Sequence, residues 1–158
     1  MAVRSTTITV NAAFLAEIKE DNRRLRSLLA AALEQTVLRS EYGRLDRQRV
    51  ELYVALRDQL AFHFTLEDAF GYFRDALADN PRLTRRAALL HAQHEALFRE
   101  ICDIVEVFEQ IQYGESGADA EESLTEQFLE FYDRLTTHER DENDLIFAAL
   151  DDDLGVGD

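Results

Sequence analysis

The chain has 158 residues, a length that suits one domain with one sizeable core. Hydrophobic residues make up 46%, enough to drive folding, and one proline and six glycines over that length favour an all-α protein. A formal net charge of -15 repels nucleic-acid phosphate and anionic membrane, and a single cysteine excludes a disulfide framework and a multi-cysteine zinc site.

Four long segments carry helical periodicity. The first is expected from about 11 to 39, with Asn11 as its N-cap after the β-prone "TTITV". The second, entered after "EYGRLD", is expected over about 45–78. The break "DNPRLT" precedes the third, about 83–113, and "GESGADAEES" precedes the fourth, about 120–150. The tail "DDDLGVGD" reads as frayed. Short connections between long amphipathic helices predict an antiparallel up-down-up-down four-helix bundle, with residues 1–158 forming one domain. No run of apolar residues is long enough for a membrane span or a signal peptide, so a cytoplasmic protein is expected.

The apolar stripes, drawn from apolar residues alone, define the inward seam of each helix. The third helix gives Leu83, Ala87, Leu90, Leu97, Ile101, Ile104, Phe108 and Ile111, with a gap at 94. The fourth gives Leu124, Phe128, Phe131, Leu135, Leu145 and Ala149, with gaps at 138 and 142. The second gives Leu56, Leu60 and Phe70, with gaps at 63 and 67. His94, the pair His138 and Glu142, and the pair His63 and Glu67 fill those gaps. His91 lies one step off the seam.

In an antiparallel bundle these positions share a level. His94 falls about 11 residues into its helix, and the two His–Glu pairs fall a similar distance before the ends of theirs, so all lie within roughly one helical turn of each other. On the first helix the same level is occupied by Asp21 or Asn22, depending on which of two stripes faces inward. Two carboxylates in an apolar seam need compensation by imidazole hydrogen bonds or by a cation. Imidazole nitrogens mixed with carboxylate oxygens suit iron, manganese or zinc. His and Glu four apart lie on one helix face, and helix bundles build carboxylate-bridged di-metal sites from such pairs.

The segments "EIKEDNRRL", "LAFHFTLEDAFGYF", "HAQHEALFREI" and "THERDENDLIF" resemble the hemerythrin-like, or HHE cation-binding, family. The resemblance spans about residues 14–147. It implies a four-helix bundle holding a non-heme di-iron site, with roles in oxygen carriage or sensing, iron handling, or peroxide and nitric oxide chemistry. His63, His94 and His138 match the family's terminal imidazole ligands, and Glu67 and Glu142 its bridging carboxylates. The family's first-helix His falls on Asn22. Its paired third-helix His is matched only by His91, three residues before His94. Asp21, Asn22 or Glu17 is then the oxygen donor that stands in, and such a carboxylate-rich site favours redox turnover or iron handling over reversible oxygen carriage.

The expected function is therefore that of a non-heme di-iron protein. It would meet a small diatomic ligand or peroxide, with a protein partner or a second copy of the chain as its macromolecular contact. The rival expectation is a regulatory or structural bundle with a decayed, metal-free or mononuclear site. Phe62, Phe64, Phe70, Tyr72 and Phe73 read as core, in part lining a dry pocket, and Cys102 as a small packed residue.

Overall fold

The computed structural model describes residues 12–39, 47–70, 80–114 and 119–155. Among them are four helices and no strand: α1 (Ala12–Arg39), α2 (Arg47–Phe70), α3 (Pro81–Gln112) and α4 (Asp119–Gly155). Each helix packs on two neighbours, in the order α1–α2–α3–α4 and back to α1, and none crosses the diagonal. Pairings fix the direction. Asp21, early in α1, meets His63, late in α2, whereas Thr36, late in α1, bonds the hydroxyl of Tyr53, early in α2. Glu100 of α3 likewise meets Arg134 of α4 before His94 meets Glu142. The chain is an antiparallel up-down-up-down four-helix bundle.

The third helix shows how local chemistry sets a boundary. Asn80 is extended, and its side-chain oxygen accepts from the backbone N–H groups of Arg82 and Leu83. Pro81 follows at the first helical position, where it has no N–H to waste and its φ already fits a helix. The helix therefore starts at Pro81 rather than at Leu83. It ends at Tyr113, whose N–H bonds back to Glu109, and Gly114 then takes a φ of +74°, a region that favours glycine. At the start of α4, Asp119, Glu121 and Glu122 face the positive end of the helix dipole.

The tail expected to fray is helical to Gly155. Leu145 and Ala149 are buried against Leu83 and Leu90 of α3, in the turns just before it, and residues 156–158 of the tail lie outside the described residues. The expected end of the second helix, its entry "EYGRLD", the Asn11 cap, Tyr72 and Phe73 lie outside the described residues, as does the side chain of Phe70.

The apolar interior is split. A large core holds Leu25, Leu29, Tyr53, Leu56, Leu60, Ile101, Phe108, Phe128, Phe131 and Leu135. A smaller one joins Leu83, Leu90, Leu145 and Ala149. A polar layer borders the large core on all four helices and, on α3 and α4, separates it from the smaller one: Asp21 on α1, His63 and Glu67 on α2, His94 on α3, and His138 and Glu142 on α4. Of the residues this layer draws from the seams, Asp21, His63, His94 and His138 are classed as buried.

Candidate metal centre

Each histidine of the layer is held at one nitrogen and offers the other inward. Asp21 Oδ2 lies 2.7 Å from His63 Nδ1, and Asp21 is steadied in turn by Gln59, whose Nε2 donates to Oδ1 at 2.6 Å. Gln93 Oε1 accepts from His138 Nδ1 at 2.8 Å. Asp68 Oδ1 lies 3.2 Å from His94 Nδ1. With all three Nδ1 atoms donating outward, the Nε2 atoms converge. His63 Nε2 is 2.7 Å from Glu67 Oε1 and 2.9 Å from Glu139 Oε1. His94 Nε2 is 3.0 Å from Glu67 Oε2 and 3.3 Å from Glu142 Oε1. His138 Nε2 is 2.9 Å from Glu142 Oε1. An outer acceptor on Nδ1 fixes the tautomer and ring orientation of a metal-binding histidine.

The inward atoms fall into two overlapping donor sets. One is Glu67, His94, His138 and Glu142; the other is His63, Glu67, Glu139 and Glu142. Within each set one ligand atom per residue lies within 4.8 Å of every other, and Glu67 and Glu142 belong to both. Two sets sharing two carboxylates could hold a pair of cations.

The chemistry of the donors fits a cation. Glu67 Oε2 and His138 Nε2 are buried and lack a hydrogen-bond partner, although His94 and Glu142 stand close to them. A buried polar atom left unsatisfied costs about 1–3 kcal/mol, and a cation between these two would take both lone pairs. Among the described residues, every ion pair made by Glu67, Glu139 and Glu142 is to a histidine rather than to a lysine or arginine.

Without an ion the histidines must supply the positive charge. Burial pushes His63 down, yet its hydrogen bonds to Asp21, Glu139 and Glu67 overcome that and raise its pKa to about 12. Burial likewise opposes charge on His94, but Glu142 and Glu67 raise it to about 9. Burial alone would raise Glu142; the imidazoles of His138 and His94 paired with it instead pull it down to about 2. These protons occupy the place a cation would take.

The structure brings together five residues singled out in the sequence: His63, Glu67, His94, His138 and Glu142. Asp21 is the first-helix residue that turns inward, but it sits behind His63 and joins none of the donor sets. Asn22 is half-buried and Glu17 is exposed. His91 is exposed and faces Asp68 on the outer side of His94. Three partners escaped the sequence reading: Glu139, Asp68 and Gln93. Glu139 follows His138 and stands three before Glu142, and Asp68 follows Glu67. A search one step to either side of each seam position would have found both. Gln93 carries no comparable signal.

Searches of the curated proteins and of the solved structures return no significant match. A family comparison matches the hemerythrin HHE cation-binding domain over residues 13–150, nearly the whole chain. That span reaches into all four helices and takes in every residue of both donor sets, and the chain belongs to the hemerythrin HHE cation-binding domain family.

Proposed function

We propose that this protein is a non-heme di-iron protein of the hemerythrin-like type. It handles dioxygen, peroxide, nitric oxide or iron itself in a sensing, storage or redox role. The observation that carries the reading is the common orientation of three imidazoles. Each Nδ1 is tied to an outer acceptor, and each Nε2 contacts at least one of the two shared carboxylates, Glu67 and Glu142. His94 and His138 would hold one ion, His63 and Glu139 the other, and Glu67 and Glu142 would serve both. Bound iron would supply Lewis acidity and a change of oxidation state at this layer.

The chain's own residues do the rest. Asp21, Asp68 and Gln93 hold the imidazoles in the tautomer that presents Nε2. Phe64 stacks on His94 with ring centroids 4.1 Å apart and meets His138 edge-on, so one side of the layer is an apolar wall that fixes these two rings. Three imidazoles against three carboxylates make a donor set richer in oxygen than one built to keep a ligand reversibly, which favours turnover or iron handling. A cytoplasmic setting suits the free thiol of Cys102, and among the described residues no helix is long and apolar enough to cross a membrane.

The unequal donor sets also support a second reading, in which only the ion beside His94 and His138 binds firmly. The side chain of Glu139 is 31% exposed, against 17% for Glu142. Metal analysis of protein from iron-supplemented cells separates the two: two irons per chain, or one. Glu67→Ala and His138→Ala should both lose metal, whereas His91→Ala should keep it. Wild-type protein without bound metal after such preparation would overturn both readings.

A further inference from the structure

A cavity of about 400 Å³ opens between α2 and α3, lined among others by Phe64, Asp68, His91, His94 and Phe98. Of the three rings in the buried layer, only His94 lines it. Asp68, His91 and His94 form a third donor set, again with one ligand atom from each within 4.8 Å of the others. We propose that this cavity is the loading vestibule of the metal centre, with Asp68 and His91 as the pair on which a divalent cation first lands. The inference rests on the metal-binding reading of the layer.

Exposure falls along the path. The His91 side chain is 65% exposed, Asp68 45%, His94 10% and Glu67 12%. Ligand atoms therefore run from water to the buried layer, and His94 stands between the two stations. Its Nδ1 faces the outer carboxylate at 3.2 Å and its Nε2 faces the inner one at 3.0 Å. Asp68 Oδ1 serves two imidazoles at once, His91 at 2.8 Å and His94 at 3.2 Å. A cation taken up by Asp68 and His91 competes with the longer contact, to His94. That releases the ring from its outer tether while an ion stands beside it. A carboxylate at a cavity mouth also raises the local cation concentration, an effect that weakens with salt.

The test is the rate of loading. Metal-free full-length protein is mixed with cobalt(II), and the visible absorption of the bound ion is followed in a stopped-flow instrument; a separate titration gives the endpoint. His91→Ala should reach the wild-type endpoint but load more slowly, on the order of threefold to tenfold. Leu89→Ala, an exposed change on the same helix, should load at the wild-type rate. An unchanged rate in His91→Ala would overturn the vestibule. So would a lowered endpoint, since His91 would then hold a resident ion, or an equal slowing in Leu89→Ala. Wild-type protein that takes up no cobalt would overturn the metal centre itself, and the vestibule with it.

Discussion

Glu139 is the residue on which the two-ion reading turns, because without it the set around His63 has no carboxylate of its own. Glu139→Ala should remove the ion beside His63 and spare the one beside His94 and His138. Metal content would then fall by about half, a result that loss of folding could not mimic if the helical circular dichroism stays unchanged. Asp21→Asn should act more gently. It keeps the shape but weakens the acceptor on His63 Nδ1, and changes to such partners typically lower metal affinity about 10- to 100-fold. Five of the residues that meet in the layer were legible in the sequence because a histidine or glutamate interrupting an apolar seam is visible by spacing alone. Glu139 and Asp68 were not, because a side chain one step off the seam reaches inward only through its own length and rotamer.

The same residues set a pH dependence. In metal-free protein His63 and His94 have pKa values raised from 6.5 to about 12 and about 9. Their charged pairing therefore stabilises the fold fully below pH 6.5 and is lost as pH rises through 9 towards 12. Glu142, lowered from 4.5 to about 2, works the other way: its contribution is present above 4.5 and lost as pH falls through 2. Protons and metal compete for the same nitrogens. Thermal melts should show the metal-free protein losing stability from pH 7 to pH 9, and the loaded protein losing much less over that range. Equal losses would mean that the histidine protons and the cation do not share a place.

At the scale of the element, the bundle's helices were readable from periodicity, but the apolar stripe alone puts the start of α3 at 83, past its cap. Asn80 and Pro81 together move the start of α3 two residues ahead of the apolar stripe. Asn80→Ala should cost about 1 kcal/mol, measured by urea denaturation, since it removes the side-chain acceptor for two backbone N–H groups. An unchanged midpoint would show that water replaces the cap at no cost. The far end of α4 was misjudged for a different reason. Its acidic run looks like a tail, but α4 stays helical to Gly155, past the turns in which Leu145 and Ala149 pack on α3.

For the molecule as a whole, the decisive arrangement is a polar layer held between two apolar cores. Four antiparallel rods bring distant residues to one level, with the large apolar core on one side and the smaller α3–α4 cluster on the other. Charges there are costly when unpaired, so the fold itself calls for positive charge in the layer. Periodicity and topology made that level visible in the sequence. The outer tethers of the imidazoles were not visible, since they depend on how neighbouring helices rotate against each other.

The most direct measurement is anomalous diffraction at the iron edge from crystals of iron-loaded protein. Two peaks should lie between Glu67 and Glu142, one beside the Nε2 atoms of His94 and His138 and the other beside His63 Nε2 and the Glu139 carboxylate. A layer without a peak, its histidines still paired with the carboxylates, would contradict the account.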